Sequence, residues 1–419
     1  MAMTSAQVGL SFLKKKYKDV YDTSYTEISE QKQVPHIPTG SIILDNLIGG
    51  TRIDGNKRVC PGWPKGKIVE CYGHESSGKS TVAMHYCAQI LAAGGSVCYV
   101  DLENAFSHGY AKNMGIDIHS DRFILLQPYT FEDAFNIIEV MVEAKVDAVI
   151  IDSVSGLIPK AVFEAELGTG QQVDSLPKLM SQNLKRVVQL QRKCGLITTI
   201  FFVNQVRDKI KTSKYDTGPN EDTSGGRALK FYATLRIKLR RKSIESAMVR
   251  DPLTGDSSKQ AISNVIQVTG VKNKIDSRQN HTALMNIRYG HGIDNYRSIM
   301  DIAIMRKIIT KYNKTYLEYV GSSPEVSFGR PADDGTWSPM AGSKNGIEQC
   351  RAFIINNPSV FKDILSRVME YLSTGVQEIS SEMVEGEELE SQTVGGQEDL
   401  EADENVPDIA DLIGDDDIE

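Results

Sequence analysis

One octapeptide constrains this chain more than anything else in it. Gly73, His74, Glu75, Ser76, Ser77, Gly78, Lys79 and Ser80 fit the pattern GxxxxGK[ST], and Thr81 follows. The run before it, 67–72, is apolar and β-rich; the run after it, 79–93, has helical spacing and ends at Gly94 and Gly95. A strand that turns into a helix through a glycine-rich loop aims backbone N–H groups and the positive end of a helix dipole at one spot, which suits phosphate. There Lys79 reaches the β- and γ-phosphates of a nucleotide and the Ser80 hydroxyl ligates Mg²⁺. The expected cofactors are ATP and Mg²⁺, held by 73–81.

Apolar, β-rich runs at 67–73, 96–103, 146–152, 196–205 and 233–241 alternate with helical patterns at 79–93, 131–144 and 174–194. Near-continuous apolar strands separated by helices bury both faces, so they predict an α/β fold with a mostly parallel sheet flanked by helices. Runs at 262–271 and 281–289 follow without intervening helices and should extend one edge of the sheet. Helical patterns at 298–309, 345–356 and 358–373 surround a Gly/Pro-rich stretch at 321–343 and predict a small α+β domain. Near the start, Leu10, Leu13, Tyr17, Val20 and Tyr21 form an apolar stripe on a basic helix over 10–21. That stripe must be covered by its own domain or by a neighbour. The 419 residues thus divide into an arm (1–34), a core (35–297), a small C-terminal domain (298–375) and a tail (376–419).

Composition narrows the setting. No apolar run approaches the roughly 18–20 residues of a membrane span, so a cytoplasmic address and no membrane partner are expected. The six cysteines lie far apart and read as reduced thiols. The net charge of −8 hides a split: 368–419 carries 18 Asp and Glu and no Lys or Arg, which leaves 37 of the 55 acidic residues against all 47 basic ones in 1–367. A basic body calls for a polyanionic partner. The acidic tail, poor in aromatics, is expected to be disordered; it shields the basic surface, recruits basic proteins or serves solubility alone.

Three polar residues close apolar strands at what should be one edge of the sheet. Asp152 ends Val149-Ile150-Ile151 and would orient the hydration shell of Mg²⁺ beside 73–81. Glu103 ends the run 97–102 and is the candidate to polarise an attacking water; Gln205, after Phe201-Phe202-Val203-Asn204, would sense a γ-phosphate. Two long stretches, 156–178 and 206–230, begin at the same edge. The second holds Arg207, Lys209, Lys211, Lys214, Arg227 and Lys230 around Thr223, Ser224, Gly225 and Gly226. Basic, glycine-rich loops suit a phosphodiester backbone, although ordinary surface loops share that composition.

These residues resemble bacterial RecA and the phage-borne recombinases of that family, over roughly 34–375. The resemblance is carried by Pro38-Thr-Gly-Ser-Ile-Ile-Leu-Asp45, 73–81, 149–153, Met180-Ser-Gln, Val203-Asn-Gln-Val-Arg207, Gly225-Gly-Arg-Ala-Leu-Lys-Phe-Tyr-Ala233, Gly270-Val-Lys-Asn-Lys-Ile275 and Tyr289-Gly-His-Gly-Ile-Asp294. It implies a RecA-type ATPase core in which Glu103 is the catalytic glutamate, Gln205 couples nucleotide state to a DNA loop, and Tyr110 lies at the adenine. Lys272 and Lys274 would reach the nucleotide of the adjacent subunit, so the active site would lie at a subunit interface. The stretches 156–178 and 206–230 would be the two DNA-binding loops, with Lys178, Arg207, Lys209, Ile210, Lys211, Gly225, Gly226, Arg227, Lys230 and Arg236 on the DNA side. The 10–21 helix would pack on a neighbouring subunit, and Phe231 would join the subunit contact.

Three features depart from the family pattern. The turn at 50–64 is longer and carries Arg52, Lys57 and Arg58; Ser107 replaces another polar contact to adenine; and the first DNA loop, Gly168-Thr-Gly-Gln-Gln-Val-Asp-Ser175, lacks a methionine near its tip. The implied function is an ATPase that forms helical filaments on single-stranded DNA, pairs it with homologous duplex DNA and exchanges strands. Single-strand-binding or loader proteins would be accessory partners. The alternatives are a hexameric helicase or DNA motor on the same core, which would form closed rings, and a non-catalytic DNA-coating protein, against which Lys79, Glu103 and Asp152 speak.

Overall fold

The computed structural model describes residues 34–374, apart from 50–51, 54–56, 59, 166–175, 209–220, 251–256, 276–279, 313–315, 324–325, 329, 332–336 and 339–345. The 10–21 helix, the 376–419 tail and Lys209, Ile210 and Lys211 lie outside the described residues. Strands and helices alternate through the first half of the chain. They run α1 (Ile42–Ile48), β1 (Ile68–Gly73), α2 (Lys79–Ala92), β2 (Val97–Asp101), α3 (His108–Asn113), β3 (Phe123–Leu126), α4 (Phe131–Glu143), β4 (Ala148–Asp152), α5 (Lys160–Phe163), α6 (Leu176–Lys193) and β5 (Thr199–Asp208). Then come β6 (Glu221–Thr223), α7 (Arg227–Tyr232), β7 (Leu235–Arg250), β8 (Ser257–Asn273), β9 (His281–Arg288), β10 (Gly292–Ile293), α8 (Asn295–Met305), α9 (Gly346–Asn356) and α10 (Pro358–Thr374).

The result is an α/β fold on a ten-stranded mixed sheet, ordered β10-β9-β8-β7-β1-β5-β4-β2-β3, with β6 paired to β5. The six strands from β7 to β3 are parallel to one another. β8, β9 and β10 add antiparallel strands at the other edge. Alternate residues of the parallel strands feed two cores. Val69, Val97, Ile150 and Phe201 face the side covered by α2, whereas Ile68, Cys98, Val149 and Phe202 face α4, α6 and α7. That double burial is why these strands read as unbroken apolar runs.

The structure differs from the sequence expectation at several ends. β3 is only Phe-Ile-Leu-Leu, too short for its period to distinguish strand from helix. β2 stops at Asp101, so Glu103 lies two residues into the following loop. The stretch expected as the second loop is ordered at both ends, because β6 pairs back on β5 with Glu221 opposite Asp208, and α7 begins at Arg227. The first stretch contains α5 and the first turn of α6.

Two of the C-terminal helices, α8 and α9, dock on the sheet through charge as well as packing. Arg351 pairs with the α8 cap Asp294 at 2.6 Å, Arg288 on β9 with Glu348 on α9 at 3.0 Å, and Arg297 with Glu245 on β7 at 2.8 Å. His85 of α2 closes the adjoining seam by accepting a hydrogen bond from the Ile293 N–H at 2.7 Å through Nε2. Burial pushes its pKa down to about 4, and protonation would also abolish that hydrogen bond. The unfolded chain protonates His85 near its ordinary pKa of ~6.5, so the stability contributed by the neutral ring is present above that pH and lost as pH falls towards 4. The loss should reach up to about 3 kcal/mol. Denaturation from pH 7 to 4 should show this excess in the wild type relative to His85→Gln, which keeps an acceptor. Equal slopes would exclude His85 as the group responsible.

Candidate functional site

Parallel pairing brings the carboxyl ends of several strands to one edge. Gly73 lies opposite Gln205 on one side and Leu239 on the other, and Asp101 lies opposite Asp152. The loop leaving β1 depends on glycine at two points. A Cβ on Gly73 would come within 2.2 Å of the Leu239 carbonyl oxygen, and Gly78 has φ +86 with a Cβ position 2.3 Å from Ile287 Cδ1. Inside the loop, Ser77 Oγ and Lys79 Nζ each donate to the His74 carbonyl at 2.7 Å. Burial lowers the pKa of Lys79, against the raising effect of the carboxylates of Asp152 and Glu103. His74, Glu75, Ser76 and Ser80 are exposed, whereas Thr81 is buried with its hydroxyl 3.2 Å from the Tyr110 hydroxyl.

Asp152 accepts from the Tyr99 hydroxyl at 2.6 Å and is hydrogen-bonded to Ser80. Burial raises its pKa and those two bonds oppose the rise. Asp101 folds the next loop over itself: its carboxylate accepts from the N–H groups of Glu103, Ala105 and Phe106 at 3.3, 3.2 and 3.1 Å, and from Gln127 Nε2 at 3.1 Å. That loop carries Glu103 to the same edge, where Oε1 accepts from Gln205 Nε2 at 2.9 Å and from Ser153 and Ser155. The expected residues of the loop, Asp152, Glu103 and Gln205 are therefore gathered together. A backbone cradle, one lysine and a serine–aspartate pair of hard oxygen donors fit a polyphosphate with a Mg²⁺ ion.

The expected DNA-side residues divide. Lys178 is exposed on α6, Arg207 on β5 and Arg227 at the start of α7; Gly225 and Gly226 have φ +83 and +74 at the turn into α7. Lys230 donates to Asp222 at 2.5 Å and holds α7 against β6. Arg236 is placed elsewhere: it is buried on β7, and its Nε donates to Glu70 at 2.5 Å. Glu70 has no exposed surface, and its other oxygen accepts from Asn204 Nδ2 at 2.9 Å. The same Asn204 amide donates to the Ser224 carbonyl at 2.9 Å, at the root of the second loop.

Lys272 lies opposite Arg236 in the β7/β8 register. Its ammonium donates to the carbonyls of Lys230 and Phe231 at 2.5 and 3.1 Å, and Lys274 Nζ donates to the Phe231 carbonyl at 3.3 Å. Both lysines thus cap the last turn of α7, where helix carbonyls lack partners. Partial burial, then the charges of Lys274 and Arg236, push the pKa of Lys272 down to about 8. Beside them Phe231 is 71% exposed.

A model of the RecA N-terminal domain matches residues 9–294. The RecA protein of Amycolatopsis mediterranei is 34% identical over 367 residues, covering 86% of this chain and 90% of that protein. The chain belongs to the RecA family. Salinispora arenicola RecA is 35% identical over 346 residues, with 82% and 85% covered, and Lactobacillus delbrueckii RecA 33% over 343, with 81% and 88% covered. In this RecA-family chain the matched segment ends at Asp294, the residue whose side chain caps α8.

Sequence reasoning did not single out Glu70, Tyr99, Asp101, Ser153, Ser155 or Asn204. Two carried a signal: Glu70 interrupts an otherwise apolar strand, and Asp101 ends one as Asp152 does. Replacing Arg236 by Met leaves the buried Glu70 carboxylate without its cation, which should cost about 3–5 kcal/mol. A Glu70→Gln/Arg236→Met double variant should recover most of that loss in urea denaturation. A single variant no less stable than the double one would show that the pair does not compensate Glu70.

Proposed function

We propose that this RecA-family protein is a DNA-dependent ATPase that assembles as helical filaments on single-stranded DNA and catalyses homologous pairing and strand exchange in recombination and repair. One observation carries the reading. Neighbouring residues of β5 serve two sites, Gln205 bonding Glu103 at the nucleotide edge and Asn204 bonding Ser224 at the root of the second loop. A shift at the end of β5 is then felt at both, which is what a nucleotide-gated DNA grip requires.

ATP with Mg²⁺ would supply the phosphoanhydride whose cleavage drives release, and the metal would neutralise charge developing on the phosphates. Lys79 would exchange the His74 carbonyl for phosphate, Ser80 and Asp152 would hold the metal, and Tyr110 would lie at the adenine. Glu103 orients the attacking water, and Gln205 senses the γ-phosphate. Lys272 and Lys274, whose ammonium groups rest on the end of α7, reach the phosphates of a neighbouring subunit's nucleotide. The two loops, with Lys178, Arg207, Lys209, Ile210, Lys211, Gly225, Gly226, Arg227 and Lys230, hold a strand extended so that base pairing tests an incoming duplex. Arg236 acts from within, through Glu70, and not by touching DNA. The 1–34 arm joins subunits along the filament, 35–297 is the ATPase core, 298–375 the small domain and 376–419 the acidic tail. The setting is cytoplasmic, with single-strand-binding or loader proteins as accessory partners.

Strand exchange between circular single-stranded DNA and homologous linear duplex tests the reading. Wild-type protein should form joint molecules only with ATP and Mg²⁺, and Lys79→Ala protein should form none. Exchange that proceeds without nucleotide, or ATP-driven unwinding of the duplex by closed rings, would contradict it.

A further inference from the structure

Three polar groups converge on a single oxygen of Glu103. Gln205 Nε2 lies 2.9 Å from Oε1, Ser155 Oγ lies 3.3 Å away, and Ser153 Oγ donates to the same atom. The two serine hydroxyls also face each other, so the one proton of Ser155 goes either to Oε1 or to Ser153 Oγ. They belong to the turn that follows β4, which includes the single-turn 3-10 helix Val154–Gly156. The Glu103 loop is bound to that turn at its base, where the Leu102 N–H donates to the Asp152 carbonyl at 2.7 Å. Packing holds the two segments equally close: a Cβ on Gly156 would lie 3.0 Å from Leu102. A carboxylate oxygen has two lone-pair positions to offer, which Gln205 and the Ser153–Ser155 pair fill between them.

We propose that Ser155 is a positioning residue that, together with Ser153 and Gln205, latches Glu103 in a resting orientation in which it does not orient water. The inference deepens the proposed function and rests on Glu103 being the group that polarises the attacking water. Hydrogen bonds to an ionised acceptor are stronger than neutral ones, so Glu103 leaves this orientation only when they are given up. Gln205 is the donor with a second destination, the γ-phosphate, and its neighbour Asn204 is tied to the DNA loop. Withdrawal of Gln205 leaves the serine pair holding Oε1, so the strength of that pair sets how much hydrolysis escapes when no DNA engages the loop. Ser155 lies outside 73–81 and is half-buried, with room to lose a hydroxyl without leaving a core cavity.

Steady-state ATP hydrolysis by Ser155→Ala, with and without single-stranded DNA, tests the latch. The DNA-independent kcat should rise on the order of fivefold, the worth of one hydrogen bond. The kcat at saturating DNA and the KM for ATP should stay at wild-type values, so the stimulation by DNA falls by the same factor. Ser155→Thr, which keeps a hydroxyl, should keep the wild-type ratio, and Ser153→Ala should raise the same DNA-independent rate by removing the other hydroxyl. An unchanged DNA-independent rate in a Ser155→Ala protein of wild-type thermal stability, or a parallel fall of both rates, would overturn the proposal. Glu103→Gln, measured alongside, separates the two levels. Turnover unaffected by that change would refute the role of Glu103 itself, whereas a loss of about 10²-fold with an unaltered ratio in Ser155→Ala would refute the latch alone.

Discussion

A carboxylate sealed from water stands beside the 73–81 loop, and the candidate site of this molecule is arranged around its neutralisation. Glu70 is fully buried on β1, the strand that ends in Gly73. A buried charge of this kind costs several kcal/mol unless a cation and further donors meet it. Arg236 meets it from β7 and Asn204 from β5, the two strands that flank β1 in the sheet. Each partner has a second attachment. Asn204 holds the Ser224 carbonyl, and Arg236 lies against the Tyr72 ring, 4.6 Å from its centroid, and opposite Lys272 in the register. One electrostatic requirement in the core therefore fixes the root of the second loop and the strand that carries the lysine pair. The three strands cannot slide independently without breaking a bond to Glu70.

The parallel half of the fold was legible because its strands are buried on both faces and its helices carry their own signals. Thr130, for instance, caps α4 by accepting from the Asp133 N–H at 3.2 Å, just where the helical pattern begins. The candidate site was legible wherever one of its residues sits at the end of an apolar run, as Asp152 and Gln205 do. It was less legible where chemistry depends on a chain reversal. Glu103 lies in a loop folded by Asp101, and Ser153 and Ser155 meet it only because β2 and β4 are neighbours in space. Arg236 shows the limit of carrying a role over by resemblance: the family pattern implied a place on the DNA side, yet its register opposite Glu70 on β1 puts it inside. β3 and β6 were missed because three- or four-residue strands have no period to detect.

The lysine pair gives the account its most specific consequence. Lys272 and Lys274 are anchored on the carbonyls at the end of α7, with the exposed Phe231 beside them. A partly buried ammonium whose pKa has fallen to about 8, through burial first and the charges of Lys274 and Arg236 next, gains from any anion that approaches. The phosphates of a nucleotide held by another subunit would be such an anion, and filament contact and nucleotide state would then be one equilibrium.

Mixing two inactive proteins measures that link most directly. Lys79→Ala lacks the lysine of the 73–81 loop, and Lys272→Ala/Lys274→Ala lacks the pair on β8 and just beyond it. If the site is shared between subunits, a mixture contains junctions that join an intact loop to an intact lysine pair, and DNA-stimulated ATP hydrolysis should reappear although neither protein shows it alone. Two inactive proteins whose mixture remains inactive at every ratio, or a double lysine variant that hydrolyses ATP normally by itself, would contradict the account.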